Sequence, residues 1–169
     1  MKITVPLENN FLPDKFTKHA DESHKLHNIP ITSFPISIDE APKNTKSYAL
    51  TFLDYDAVPV AGFPWIHWIA ANIPSRATLI PENNSQSPII QMTQGNNSTA
   101  GKYISNTDER TKARYFGPTP PDGTHTYELT VYALDTNLDL TDGFWLNDLR
   151  NQMQGHILAQ TKISLPVKG

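Results

Sequence analysis

Tyr115-Phe-Gly-Pro-Thr-Pro-Pro-Asp-Gly-Thr-His-Thr-Tyr127 runs directly into Glu128-Leu-Thr-Val-Tyr-Ala-Leu134. Pro118, Pro120 and Pro121 fix φ and lack a backbone N–H, so the first half is neither helix nor central strand. Gly117 and Gly123 flank the prolines where the chain can take φ > 0 or approach another group closely. The second half changes character. His125, Tyr127, Leu129, Val131 and Ala133 alternate with Thr126, Glu128, Thr130, Tyr132 and Leu134. Period two predicts a strand over 124–134, with His125 and Tyr127 on one face. A stiff loop feeding such a strand suits the wall of a small polar pocket. It also suits an ordinary Pro-rich turn with two polar residues at a strand end, and the loop alone leaves both readings open.

Two segments upstream read as partners for this strand. In Tyr48–Asp54, Tyr48, Leu50, Phe52 and Asp54 share a face, which puts a carboxylate at the strand end beside three large side chains. Trp65–Pro74 is nearly continuous apolar sequence, as expected of a strand buried on both faces. Simple alternation groups His67 with Ile69 and Ala71, opposite Ile66, Trp68 and Ala70. Asp54 and Asp56 stand two apart, either as a fragment of a Ca²⁺ loop lacking its later ligands or as caps on backbone N–H groups.

Elsewhere Ile3-Thr4-Val5 is strand-like, and Asn28–Ile38 is extended and interrupted by prolines. His24 and His27 belong to a polar loop. Residues 75–114 are polar and rich in Asn, Ser, Thr and Gln; a segment this long inside a domain is usually functional or disordered. Pro88–Met92 is its best candidate for brief strand pairing. Asn83-Asn-Ser85 and Asn96-Asn-Ser98 match glycosylation sequons, with no signal peptide to support them. Asp142–Ala159 is the one good helix candidate, capped by Thr141 or Asp142, with Trp145, Leu149, Met153 and His156 or Ile157 forming a stripe and Gly155 a point where it can end or bend. Lys162–Val167 reads as a closing strand. Several short strands, many turns and one late helix predict a mainly β, antiparallel fold in one domain over residues 1–169.

Composition narrows the function classes. The net charge of −3 comes without a Lys/Arg run, which argues against nucleic acid. The absence of Cys removes disulfides, thiol nucleophiles and thiolate metal sites. No apolar run approaches the length of a membrane span. A soluble, cytoplasmic protein is expected.

Three segments in register, Asp54-x-Asp-Ala-x-Pro59, His67-Trp68 before Asn72-Ile-Pro74, and Tyr115-x-Gly-Pro-x-Pro-Pro-x-Gly-x-His-x-Tyr127, resemble the phosphatidylethanolamine-binding protein (Raf kinase inhibitor-like) family. The resemblance is closest to its bacterial branch and covers roughly residues 28–165. Tyr55 replaces a usual Pro, Val58 is an extra residue before Pro59, and Thr126 replaces a usual Arg. The resemblance implies a β-sandwich of a large and a small antiparallel sheet with a C-terminal helix beside it. It also implies an anion pocket that accepts a phosphoethanolamine-like head group. By matching position, the lining is Asp54, Asp56, Pro59, Trp65, His67, Thr119, Pro120, Pro121, His125 and Tyr127. A cis Val58–Pro59 bond is expected from the crowded turn and from the family. A homodimer is expected too, since bacterial relatives often pair.

Three functions follow as expectations. The first is a small-ligand binding module with no cofactor and no catalysis. The second is a protein-interaction regulator, similar to kinase or protease inhibitors, using residues 75–114 and the pocket rim. The third is a hydrolase, metal-dependent through Asp54, His67 and His125 or using acid/base chemistry. It lacks both a Gly-x-Ser-x-Gly elbow and a His-Glu-x-x-His helix. One tension accompanies the first: two acids repel a phosphate unless they are spent on His67, on backbone N–H groups or on a ligand ammonium.

Overall fold

Ser47–Asp54 is buried along its whole length, and the larger sheet is assembled on both of its edges. The computed structural model describes residues 1–169. In chain order the strands are β1 (Lys2–Thr4), β2 (Lys25–Leu26), β3 (Ile29–Pro30), β4 (Ile36–Asp39), β5 (Ser47–Asp54), β6 (Trp65–Pro74), β7 (Leu79–Ile80), β8 (Thr93–Gln94), β9 (His125–Leu134) and β10 (Ile157–Val167). The α-helices are α1 (Val58–Ala61), α2 (Glu109–Lys112) and α3 (Leu146–Gln152). The large sheet has the order β10-β9-β5-β6-β8 and is antiparallel throughout. A smaller antiparallel sheet, β1-β4-β7, packs over it. This is the mainly β, two-sheet sandwich expected from the sequence.

The two faces of the large sheet carry separate cores. Tyr48, Leu50, Phe52, Trp68, Leu129 and Val131 meet Ile3, Ile36, Ile38 and Ile80 of the small sheet. On the other face Ala49, Ile69, Ala71 and Leu134 pack under Leu138, Phe144, Leu149 and Met153. Period two along β5 and β9 therefore sorts side chains as alternation requires. Each large side chain so buried stabilises the fold by about 1.5–3 kcal/mol relative to exposure.

β6 breaks the alternation. Phe52 pairs with Trp68, while Leu53 pairs with Ile66, so His67 is one residue too many. This β-bulge turns His67 away from Ile69 and Ala71, where alternation had grouped it, and onto the Phe52 side of the sheet. The ring of His67 lies 5.8 Å from that of Phe52 and 5.0 Å from that of Tyr127. Ile66 remains with the helix-side core.

Three further expectations change. The helix predicted over 142–159 is confined to Leu146–Gln152. Trp145 is still extended, its N–H bonded to the Asp148 carboxylate, and Gly155 at φ +79° reverses the chain. Residues beyond Gly155 then pair with β9 as far as Val167, so the closing strand is longer than the sequence suggested. Asp142 caps no helix; its carboxylate accepts the Gln94 N–H. Within residues 75–114 the strands are Leu79–Ile80 and Thr93–Gln94 rather than Pro88–Met92.

That long segment is ordered by buried polar side chains. Gln94 Oε1 accepts from the Trp68 indole at 2.9 Å and from Ser85 Oγ at 2.7 Å. Asn97, fully buried, donates to the carbonyls of Thr111 and Arg114 and accepts from Thr99. These bonds satisfy loop backbone that has no ladder partner. No helix is long and apolar enough to cross a membrane.

Candidate functional site

At one end of the large sheet, β5 finishes at Asp54 while β9 begins at His125. Asp54 pairs in register with Tyr127, and their side chains emerge together on the sandwich face. The bulge brings His67 to the same place. Asp54, Trp65, His67, Thr119, Pro121, His125 and Tyr127 line a cavity of about 170 Å³ with Ala57, Val60 and Ala61. Drug-sized clefts begin at roughly 300 Å³, so this one has room only for a small group.

The proline loop forms the outer wall. Gly117 lies so close to Pro30 and Phe16 that a Cβ there would sit 2.5 Å from Pro30 Cβ and 2.7 Å from the Phe16 carbonyl oxygen. Gly123 takes φ +130°, a turn conformation that other residues disfavour. The two glycines thus serve the two roles open to them in the sequence. Pro118 O accepts the Lys18 N–H and Pro120 O accepts the Lys18 ammonium, which ties the loop to the N-terminal segment.

Three expected lining residues stand back from the cavity. Pro120 is buried behind it. Asp56 is exposed, and its Oδ2 accepts the Thr126 N–H at 2.8 Å, linking the end of β5 to the start of β9. Pro59 lies on the outside of α1, where φ near −65° fits the first turn. The peptide bond before it is trans, as is every other in the chain, so the expected cis bond is absent. Val58–Ala61 forms a helical turn in its place, and Val60 and Ala61 give the cavity its apolar side. Asp54 Oδ1 accepts the Ala57 N–H at 3.1 Å, so both acids serve as caps, the second of the two roles considered for them.

The two histidines are in opposite electrical states. His125 Nδ1 lies 2.8 Å from Asp54 Oδ2 and its Nε2 lies 3.0 Å from Asp122 Oδ1. A carboxylate only accepts, so both ring nitrogens donate when the ring is an imidazolium. Burial opposes that charge, but the two carboxylates outweigh it and raise the pKa. His67, only 3% exposed, is pushed down to about 4, chiefly by burial, against the raising effects of the Phe116 carbonyl and of Asp54. Its Nδ1 donates to the Phe116 carbonyl oxygen at 2.7 Å. Burial, and then the Asp54 carboxylate beside it, raise the pKa of the Tyr127 phenol, which keeps its proton.

Two carboxylates around one imidazolium leave the Asp54–His125–Asp122 cluster one charge negative. That charge is complementary to positive charge and to hydrogen-bond donors. Asp54, His67 and His125 do not form a metal set, since a ligating nitrogen needs a lone pair and both nitrogens of His125 face carboxylates. Sequence reading had not singled out Phe116 or Asp122. The only sign of Asp122 was its position three residues before His125.

Comparison with known proteins identifies the family. The model of the family described as phosphatidylethanolamine-binding protein matches residues 2–168. A Bacillus subtilis (strain 168) protein, YxkA, is 50% identical over 157 residues, which span 93% of this chain and 94% of that one. A Methanothermobacter thermautotrophicus protein is 36% identical over 129 residues, 76% of this chain and 78% of its own. The crystal structure of CT736 from Chlamydia trachomatis superposes with a TM-score of 0.75 at 27% identity, covering 94% of this chain and 90% of that one. Escherichia coli YbcL superposes with a TM-score of 0.76 over 99% of this chain and 98% of its own, a likeness of fold alone at 21% identity. By sequence and by fold, the chain belongs to the phosphatidylethanolamine-binding protein family.

Proposed function

We propose that this protein is a binding module for a small phosphorylated, zwitterionic head group of the phosphoethanolamine kind, and that it performs no catalysis. The observation that carries this reading is the convergence of Asp54, His67, His125 and Tyr127 on one head-group-sized cavity. The phenol of Tyr127 can donate to a phosphoryl oxygen, and a ligand ammonium offsets the net negative charge of the acid–imidazolium cluster. A binding role is also supported by what the lining lacks. Its hydroxyls are those of Thr119 and Tyr127, and neither is hydrogen-bonded to an imidazole as an activated nucleophile is.

Calorimetry of phosphoethanolamine against the wild type and His67→Ala tests this. Saturable binding by the wild type, lost in the variant with its fold intact, is expected. Equal affinities for the two proteins contradict the reading.

A second copy of the chain is the partner we propose. Phe63, Tyr103, Ile104 and Trp145 are exposed and gather around a second cavity of about 180 Å³. Phe63 stacks on Trp65, so this apolar strip adjoins the head-group site. Exposed apolar clusters of this kind mark contact surfaces.

A further inference from the structure

We infer that His67 Nε2 acts as a hydrogen-bond acceptor in the cavity, and that it makes the site select a phosphate monoester carrying a proton on its phosphoryl group over the corresponding sulfate ester. This rests on the head-group reading above and sharpens it.

The geometry begins at Phe116. Its carbonyl oxygen lies 2.7 Å from His67 Nδ1, and its own N–H donates to the His67 carbonyl oxygen at 2.9 Å. A carbonyl has lone pairs and no proton to give, so the hydrogen of the neutral ring sits on Nδ1. The reciprocal backbone bond holds the carbonyl in place and with it the tautomer. Nε2 is left with a lone pair. No protein group bonds to it, and no sealed-off side-chain nitrogen or oxygen in the molecule lacks a partner, so Nε2 opens to the cavity that His67 lines.

The groups facing His67 do not supply a proton. Asp54, at the end of β5, is a carboxylate already engaged with His125 and the Ala57 N–H. His125, on β9, has both nitrogens committed to Asp54 and Asp122. Tyr127, also on β9, brings one hydroxyl that makes no hydrogen bond to the His67 ring, and Phe52 and Phe116 bring ring faces. The burial that depresses the basicity of His67 discourages it from charging to meet an anion. The missing proton must therefore arrive on the ligand. A phosphate monoester has a second pKa near ~6, so about half of it still carries a P–O–H at that pH. A sulfate ester of the same size and shape presents only acceptors, so its oxygens meet the Nε2 lone pair with no hydrogen between them. A site built to bond a donor rejects the isostere that lacks it, because its own buried polar group is left unpaired.

The probes are phosphoethanolamine and ethanolamine O-sulfate, titrated into the full chain and followed by amide and imidazole NMR shifts. At about pH 6 the phosphate ester should bind at least ~10-fold more tightly than the sulfate ester. Its affinity should fall at least ~5-fold by about pH 7.5 as the protonated ester is depleted. His67→Gln, whose amide can present an N–H to the cavity, should bring the two esters within ~3-fold of each other. Equal affinities for the two esters at about pH 6 in the wild type overturn the inference while leaving the head-group reading standing. An unchanged preference in His67→Gln also overturns it. Absence of binding by either ester at tens of millimolar overturns the head-group reading and this inference together.

Discussion

His125 Nδ1 lies 2.8 Å from Asp54 Oδ2, inside a sheet end where the histidine is 5% and the aspartate 3% exposed. Neither charge is affordable there without the other. Removing one partner strands a buried ion, which typically costs about 3–5 kcal/mol. His125→Ala is therefore expected to lower unfolding stability by several kcal/mol in urea titrations. Asp54→Asn with His125→Gln, which removes both charges and keeps polar contact, should recover part of that loss. A His125→Ala cost below about 1 kcal/mol would show that the pair is not structurally coupled.

Stability should pass through a maximum near the ordinary histidine pKa, because the two pocket histidines pull in opposite directions. The folded pKa of His125 is raised, so its contribution is fully present below the unfolded value of about 6.5 and fades as pH rises through the folded one. That of His67 is lowered to about 4, so its stability is present above about 6.5 and is lost as pH falls from there toward 4. The full loss is on the order of 3 kcal/mol. Chemical denaturation across this range should show the maximum in the wild type. The fall between about pH 6.5 and 4.5 should be shallower in His67→Asn, and an identical acid limb in that variant would contradict the assignment.

Gly117→Ala should destabilise the pocket wall. The new methyl would meet Pro30 Cβ at 2.5 Å and the Phe16 carbonyl oxygen at 2.7 Å, and the second is backbone that cannot swing aside. A loss of about 1–3 kcal/mol is expected from such overpacking. Gly62→Ala is the comparison, since its Cβ would meet nothing within 4 Å and only its φ of +84° opposes the change. Thermal unfolding of the two variants decides, and a Gly117→Ala midpoint equal to the wild type would show that the wall gives way freely.

The polar segment 75–114 should behave as core. Asn97→Ala leaves the buried Thr111 carbonyl and the part-buried Arg114 carbonyl without their donor. The expected cost is on the order of 3 kcal/mol. Hydrogen exchange should show the loss concentrated around α2 and Ser98–Ala100. Wild-type stability in this variant would mean that the segment is held by something else.

How far the sequence revealed this site depends on local regularity. Alternation along β5 and β9 placed Asp54, His125 and Tyr127 on the sandwich face, because nothing interrupts the ladder between those strands. Alternation misplaced His67, because a bulge inserts one residue between Ile66 and Trp68 without any glycine or proline to announce it. Only the resemblance to a family put that histidine in the pocket. Asp122 and Phe116 act through contacts that a sequence does not display, one as an acid in an exposed loop and the other through its backbone alone. The short α1 helix was missed because Val58-Pro59 read as a tight turn, whereas a proline in the first turn is equally at ease with helix. The helical reading of 142–159 ran past Gly155, where the chain turns and a period-two pattern begins.

Self-association has its own measurement. If a second copy covers Phe63, Tyr103, Ile104 and Trp145, light scattering at tens of micromolar should give twice the mass of 18.9 kDa. Tyr103→Glu with Ile104→Glu should return the monomer. A monomer mass for the wild type contradicts the proposed pairing.

The most direct test of the binding reading is a crystal structure of the protein saturated with phosphoethanolamine near pH 6. The phosphoryl group is predicted inside the cavity, with one oxygen within about 2.6–3.2 Å of His67 Nε2 and another within the same reach of the Tyr127 hydroxyl. Density for the ligand only outside the cavity, or a cavity filled with water at saturating ligand, would contradict it.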